Sequence, residues 1–152
     1  YRIWLGQIQF ARRLSDNGTQ VILRGTRQGT SSDLPSIDRM AIGGVYTVRG
    51  YRENQLIRDV GTVANVELDV PVLRGDGASL NLIPFFDWGK GKNQNEQATV
   101  LSSARLAARA RWQGFAIDLA VARRLAHPDS VRRQGRNLQD DDVHLQVNYN
   151  FF

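Results

Sequence analysis

The C-terminal segment of the chain alternates apolar and polar residues without a miss. Residues 143–151 read VHLQVNYNF, in which every second side chain is apolar and each one between is polar. A period of two places the apolar side chains on one face of an extended strand, whereas a helix repeats every 3.6 residues. The same pattern recurs in residues 64–70, 79–88, 104–112 and 115–121, and more weakly in residues 2–12 and 19–27. The sequence therefore predicts an all-β fold in which seven strands each have one apolar and one polar face.

The connections between these strands alternate in length. Tight-turn sequences rich in Gly, Asp and Asn occur at residues 15–18, 74–77 and 113–114. Long polar connections are predicted over residues 28–60, 89–99 and 125–141. Outer-membrane barrels show this asymmetry, with short periplasmic turns and long extracellular loops, and strands of about ten residues cross a hydrocarbon layer at the barrel tilt. We therefore predict that residues 1–152 are the C-terminal seven or so antiparallel strands of a transmembrane β-barrel.

The composition agrees with alternating strands and excludes several other classes. No run of about 18 apolar residues occurs, so no transmembrane helix is predicted, and the mean hydropathy of −0.38 is compatible with barrel strands. The formal charge of +5 comes from 18 Arg and 2 Lys, which favours bidentate pairing with carboxylates. There is no cysteine, the two histidines lack ligand spacing, and no nucleophile elbow or phosphate loop occurs. We predict neither a cofactor, nor a metal site, nor an enzyme.

Seven strands cannot satisfy their own edges in lipid, because each unpaired backbone group there costs several kcal/mol. The chain also starts at Tyr1 inside a patterned segment. We therefore expect a fragment of a longer barrel whose other strands lie upstream. Pro84 interrupts the pattern of its strand and cannot donate to a ladder, so we expect a bulge or a break just before Phe85.

Two short strings in the middle of the chain resemble a matched pair from one superfamily. Residues 43–51 read GGVYTVRGY and residues 85–89 read FFDWG. The pair is similar to that of the BamA-like superfamily of outer-membrane barrels. There, the VRG(F/Y) tip belongs to a long loop folded back into the lumen, and the FxDxG strand supplies a carboxylate that holds the loop arginine. The resemblance implies these roles for Arg49 and Asp87, with a lumen-folded loop over about residues 28–60.

Strand parity adds a second carboxylate to this pair. Glu67 and Asp87 both occupy polar positions of neighbouring predicted strands. Two such carboxylates match the five donors of a guanidinium, which needs partners when it loses water. From spacing alone, an exposed loop arginine beside two unrelated acids is the alternative. With the resemblance, loop-anchoring or transport roles are predicted for Val48, Arg49, Gly50, Tyr51, Glu67, Phe85, Asp87 and Gly89.

The stretch after the loop arginine resembles one branch of the superfamily. Residues 51–61, YRENQLIRDVG, are similar to those of two-partner secretion transporters (TpsB) of the haemolysin and filamentous haemagglutinin exporter type. This resemblance implies a sixteen-stranded barrel in the Gram-negative outer membrane, preceded by POTRA modules, that translocates a secreted exoprotein of the TpsA type. Contacts with the lipid bilayer, and with the barrel assembly machinery during biogenesis, are implied too. A BamA-type insertase and a passive diffusion porin remain alternatives.

Three arginines alternate with apolar residues in the segment 104–112. Arg105, Arg109 and Arg111 share the polar parity, which predicts a basic lumen wall with Asp118 as a partner on the next strand. A phosphate-binding row is the alternative, but that face carries no aromatic platform or reading helix. A structural lumen wall without substrate contact fits equally well. We therefore predict no nucleic acid partner.

The last residues predict a terminal signal for barrel assembly. The family's signal usually ends on a phenylalanine that is in register with alternate apolar residues. Here Tyr149 and Phe151 are in register and Phe152 lies one position beyond. These three residues are the predicted terminal assembly signal.

Overall fold

The computed structural model describes residues 1–132 and 143–150, most of which lie in one antiparallel sheet of seven strands. The strands of this main sheet are β1 (Ile3–Arg13), β2 (Gln20–Thr30), β5 (Val60–Gly75), β6 (Ala78–Lys92), β7 (Thr99–Trp112), β8 (Phe115–Arg124) and β9 (Val143–Tyr149). They lie in the order β1-β2-β5-β6-β7-β8-β9, so that each main strand pairs with the next main strand along the chain. The predicted all-β fold class and its seven antiparallel strands are confirmed.

The smaller elements lie in the long connections. Between β2 and β5 the chain forms a 3-10 turn (Ser36–Asp38) and a two-stranded sheet of β3 (Met40–Ile42) and β4 (Leu56–Arg58). A helical turn, α1 (Asp129–Arg132), follows β8. Among the described residues, none of the helical segments has the length and apolar character to cross a membrane.

The period of two divides the main sheet into two faces. We call one the loop face, because the connection 31–59 packs on it; it carries the odd-numbered residues of β6 and β7 and of β5 up to Asp69. The opposite one is the apolar face. Their separation is visible in the pairing, where Asn65 lies opposite Asp87 and Asp87 opposite Ser103, while the flanking Val66 lies opposite Phe86. Every carboxylate of the described main strands lies on the loop face, at Glu67, Asp69, Asp87 and Asp118.

The apolar face consists largely of exposed hydrophobic side chains. On the central strands Val66, Phe86 and Leu106 are each more than 40% exposed, and on β9 Leu145 is 62% exposed. A continuous apolar surface of this kind is unfavourable in water and marks contact with a partner or with lipid. Its alternation with a polar opposite face is the pattern of a membrane barrel strand.

The irregularities of the β5–β6 pairing agree only in part with the prediction. Pairing of β6 with β7 continues through Pro84, opposite Leu106, and pairing with β5 keeps the same register on both sides of Pro84. The predicted bulge before Phe85 is therefore wrong, but the predicted local break is present on one side, because Ile83 and Pro84 have no pairing partner on β5 between Leu82 and Phe85. The register shifts instead between Pro71 and Leu73 of β5, where a proline that cannot donate to the ladder is accommodated by a bulge.

The β6 strand extends beyond its predicted end. Residues 89–92, GKGK, belong to the predicted connection 89–99, but they pair with β5 up to Lys92 opposite Val60. The two glycines have no apolar side chain, so the alternation is invisible in sequence although the backbone continues. The connection to β7 is consequently confined to residues 93–98.

The three tight turns have the predicted chemistry. Asp76 and Gly77 both have positive φ, as do Gln113 and Gly114, which is the requirement of a type I′ hairpin turn. Of the predicted connection 125–141, residues 133–141 lie outside the described part of the chain.

Candidate functional site: a loop clamped to the sheet

The tip of the connection 31–59 is a compact turn held by its own backbone. The Gly44 amide donates to the Val48 carbonyl at 3.2 Å, and the Thr47 amide donates back to the Gly44 carbonyl at 3.2 Å. Gly44 has φ +100°, and a Cβ there would lie 2.1 Å from the Glu53 carboxylate, which accepts from the Val45 amide at 2.8 Å. The tip therefore requires glycine at this position and presents residues 48–51 to the sheet.

Arg49 reaches from the tip to the Asp87 carboxylate on β6. Its Nε donates to Oδ2 at 2.7 Å and its Nη2 donates to Oδ1 at 2.7 Å, a bidentate pair. The Arg49 backbone amide also donates to Oδ2 at 3.1 Å. Asp87 is fully buried and the Arg49 side chain is 13% exposed, so this pair is largely removed from water.

Asn65 completes the environment of Asp87. It lies directly opposite on β5, and its Nδ2 donates to Asp87 Oδ1 at 2.8 Å and to the Thr47 carbonyl at 2.6 Å. Each Asp87 oxygen thus accepts two hydrogen bonds, which satisfies the hydrogen-bonding capacity of a carboxylate. Asn65 is not among the predicted site residues, although it lies two positions before Glu67 and shares its polar parity.

Glu67 and Phe85 enclose the remaining surfaces of the guanidinium. Arg49 Nη1 lies 2.8 Å from Glu67 Oε1, and the other Glu67 oxygen lies 3.0 Å from Arg24 Nη1 on β2. The Arg49 guanidinium carbon lies 3.6 Å from the centroid of the Phe85 ring, a cation–π contact. We call Arg49, Glu67, Asp87, Asn65 and Phe85 the loop clamp.

The protonation of the loop clamp follows from these contacts. Desolvation lowers the pKa of Arg49, but hydrogen bonds to Asp87 and the charges of Asp87 and Glu67 outweigh it, so the pKa of Arg49 is raised overall. Arg49 is therefore a permanent cation. The geometry is that of a fixed ion pair, which can hold the connection 31–59 against the main sheet.

Val48 and Tyr51 seal the tip with apolar and polar contacts. Val48 is fully buried in a cluster with Ile42, Leu56 and Leu101. The Tyr51 hydroxyl donates to the Ala126 carbonyl and accepts from the Ser102 amide at 3.3 Å. The Gly50 carbonyl accepts from Arg124 Nε.

Strand glycines make room for the loop. A Cβ on Gly89 would lie 2.6 Å from Ile42 Cγ2 and 2.8 Å from Val48 Cγ2, and a Cβ on Gly91 would lie 2.8 Å from Arg58 Cγ. These distances are shorter than the contacts that Cβ atoms make with other heavy atoms in folded proteins. The glycines of the FFDWGKG segment thus form a flat surface on which the β3–β4 sheet lies.

A second buried carboxylate, which is not among the predicted site residues, lies at the base of the loop. Asp59 is fully buried, and its Oδ1 accepts from Arg39 Nε at 2.9 Å and from the Leu34 amide at 3.0 Å, while Oδ2 accepts from the Gln94 amide at 3.3 Å. It joins the start of the connection 31–59 to the connection 93–98. Its only sequence signal was an acidic residue followed closely by a glycine, which does not reveal burial.

The three arginines of the predicted basic row, Arg105, Arg109 and Arg111, differ in their contacts. Arg109 pairs with Asp118 through Nε and Oδ1 at 2.8 Å, as predicted. Arg105 and Arg111 are exposed on the loop face, and Arg111 lines a pocket beside Arg109. Of the predicted terminal signal, Tyr149 ends β9 with its ring 4.5 Å from that of Phe115, while Phe151 and Phe152 lie outside the described residues.

Comparisons with known proteins agree with this architecture. The family model described as haemolysin secretion/activation protein ShlB/FhaC/HecB matches residues 1–111, a segment that contains both the VRGY tip and the FFDWG strand. Among solved structures, CdiB from Acinetobacter baumannii is similar with a TM-score of 0.70 and 22% sequence identity. That likeness covers 95% of this chain and 26% of the CdiB chain, so this chain spans about a quarter of it. No curated protein matches the sequence.

Proposed function

The chain belongs to the haemolysin secretion/activation protein family ShlB/FhaC/HecB, and we propose that it contributes part of the barrel of an outer-membrane transporter for two-partner secretion. In this proposal the apolar face contacts the bilayer and the loop face lines a water-filled lumen. The exported partner is a large exoprotein of the TpsA type, moved across the outer membrane of a Gram-negative bacterium. The exposed apolar face, with every described strand carboxylate on the opposite side, supports this orientation.

The observation that carries the proposal is the loop clamp. The connection 31–59 returns to the loop face, and a buried Arg49–Asp87 pair fixes its tip there. A buried ion pair that loses one partner costs about 3–5 kcal/mol, so the loop has one strongly preferred position. We propose that this position defines the route through which the exported chain passes, with Val48, Gly50 and Tyr51 shaping the tip and Gly89 making room for it.

Export by the Arg49→Ala variant tests this role. The full-length transporter is expressed with the exoprotein encoded beside it, and exoprotein in the medium is compared at equal amounts of folded barrel in the outer membrane. We expect at least tenfold less exoprotein in the medium, because a loss of about 3 kcal/mol corresponds to more than a hundredfold change in the docked population of the loop. Arg105→Ala is the matched control, since it removes an exposed loop-face arginine outside the clamp. Normal export by Arg49→Ala would reject the anchoring role.

The same strains distinguish the alternatives. If the protein is a BamA-type insertase, its loss should lower the levels of other outer-membrane barrels. Secretion of the exoprotein encoded beside it should then not be specifically affected. If the protein is a passive porin, the purified barrel should show steady solute conductance that does not depend on any exoprotein. We further propose that the assembly machinery recognises the terminal segment containing Tyr149, Phe151 and Phe152. Substitution of Tyr149 should then lower the amount of folded barrel without changing the export per barrel.

A further inference from the structure

A polar pocket lies on the loop face away from the loop clamp, near the tight turns of the sheet. Its volume is about 250 Å³, and its walls are Asp69, Arg74, Ser79, Asn81, Arg109 and Arg111. Three neighbouring strands contribute these side chains, with Ser79 opposite both Arg74 and Arg111. In the proposed transporter this end of the sheet is the periplasmic end, because the short turns are there.

The bulge in β5 brings Arg74 into this pocket. Up to Pro71, odd-numbered residues of β5 lie on the loop face, so an uninterrupted strand would place the even-numbered Arg74 on the apolar face. The register shift between Pro71 and Leu73 reverses this parity, and Arg74 then lies opposite the loop-face residue Ser79. Bulges characteristically redirect a side chain in this way. The irregularity therefore adds a third guanidinium to the pocket.

The pocket and its surroundings contain more arginines than carboxylates. Arg109 pairs with Asp118 at 2.8 Å and lies 3.9 Å from Asp69, and Asn81 donates to the Asp69 carboxylate. Both nearby carboxylates are thus already engaged. Arg74 and Arg111 are exposed and, within residues 1–132 and 143–150, have no carboxylate within 4.0 Å.

We propose that this pocket binds carboxylate side chains of an acidic peptide segment, which, given the proposed transport function, is a segment of the exoprotein entering from the turn side. Arg74 and Arg111 present planar forks of donors suited to carboxylates. Three arginines beside two aspartates leave a single net positive charge, which matches a monovalent carboxylate. A phosphate, with a charge of about −1.5 to −2 at neutral pH, would exceed it and meet repulsion from Asp69 and Asp118.

Direct binding to the full-length protein in detergent tests the proposal without relying on export. The probe is a fluorescent peptide of alternating aspartate and glycine, followed by anisotropy, with the asparagine–glycine peptide as the neutral comparison. We expect Arg74→Gln and Arg111→Gln each to weaken binding about tenfold, as loss of one charge-assisted contact predicts. Arg105→Gln is the matched control, because it removes one exposed loop-face arginine that does not line the pocket, and it should change binding less than about twofold.

Three results would overturn the proposal. They are equal affinity of the wild type and Arg74→Gln, equal affinity for the aspartate and asparagine peptides, and displacement of the peptide by inorganic phosphate at concentrations below those of the peptide itself. These results concern the pocket alone and leave export by the wild type untouched. Conversely, a wild-type protein that binds the peptide yet exports nothing would contradict the transport function while the pocket stands.

Discussion

A double-mutant cycle on Arg49 and Asp87 measures the loop clamp directly. Arg49→Ala leaves two carboxylates, Asp87 and Glu67, without their shared cation, and Asp87 is fully buried. Its expected cost to loop docking is at the upper end of the roughly 3–5 kcal/mol for breaking a buried pair. Asp87→Ala leaves Arg49 with Glu67 at 2.8 Å, so its cost lies at the lower end. The coupling energy of the cycle should approach 3 kcal/mol, the upper range for contacting residues.

Hydrogen exchange at individual amides reports this energy. The Gly44 and Thr47 amides are hydrogen-bonded within the tip, and we expect the tip to lose these bonds when it leaves the sheet. The residue 49 amide donates to Asp87 itself, so it reports docking only in the proteins that retain Asp87. A loss of about 3 kcal/mol corresponds to exchange that is more than a hundredfold faster when exchange is limited by the docking equilibrium. The experiment uses the full-length protein in detergent, with amides of the main sheet as internal references.

Two further results are expected if Arg49 holds only the loop. Acceleration must be confined to the loop, because the strand pairing of the main sheet does not depend on Arg49. Glu67→Gln should accelerate exchange less than either alanine variant, because Asp87 retains both of its bonds to the guanidinium. A coupling energy below about 0.5 kcal/mol, or uniform acceleration across the sheet, would refute the reasoning.

Three other substitutions examine the surroundings of the clamp. Gly89→Ala introduces a Cβ 2.6 Å from Ile42 Cγ2 and should destabilise loop docking by about 1–3 kcal/mol in the same exchange assay, whereas Gly75→Ala, where a Cβ meets nothing within 4 Å, should not. Asp59→Ala should accelerate exchange of the Leu34 amide by about tenfold and leave residue 49 protected, because it removes the acceptor of the Leu34 amide at the base of the loop only. Val66→Arg places a charge on the apolar face and should lower the folded fraction in lipid vesicles, by about 2–4 kcal/mol if the site lies at mid-bilayer; an unchanged fraction would contradict lipid contact there.

The strands were predictable because alternation is a local property. Each apolar–polar repeat specifies a strand and its faces without knowledge of its neighbours, and this places Glu67 and Asp87 on one face before any pairing is known. Because both carboxylates are on that face, a loop arginine that returns to it can pair with them. The contact between Arg49 and Asp87, 38 positions apart, nevertheless came from the resemblance, because parity restricts the face and does not specify the partner.

The features that escaped prediction depend on pairing between strands. Pro84 interrupts the β5–β6 pairing without shifting its register, whereas the bulge lies at Pro71–Leu73. The effect of a proline on a ladder depends on which neighbouring strand its missing amide would face. The GKGK segment hides its alternation because glycine has no side chain to count. Asp59 gives no periodic signal at all, and its burial results from packing between two connections distant in sequence.

The loop clamp also sets the charge of the loop face. Arg24 and Arg49 balance Glu67 and Asp87, so the docked cluster is electrically neutral. When the tip leaves, it removes one cation and leaves two carboxylates, of which Glu67 alone is paired, with Arg24. An undocked loop therefore leaves an acidic cluster on the same face as the arginine-lined pocket, and that cluster would repel an acidic segment bound nearby. Release of the loop and binding of an acidic segment in the pocket should oppose each other, which makes peptide affinity in the Arg49→Ala variant lower than in the wild type, most clearly at low ionic strength.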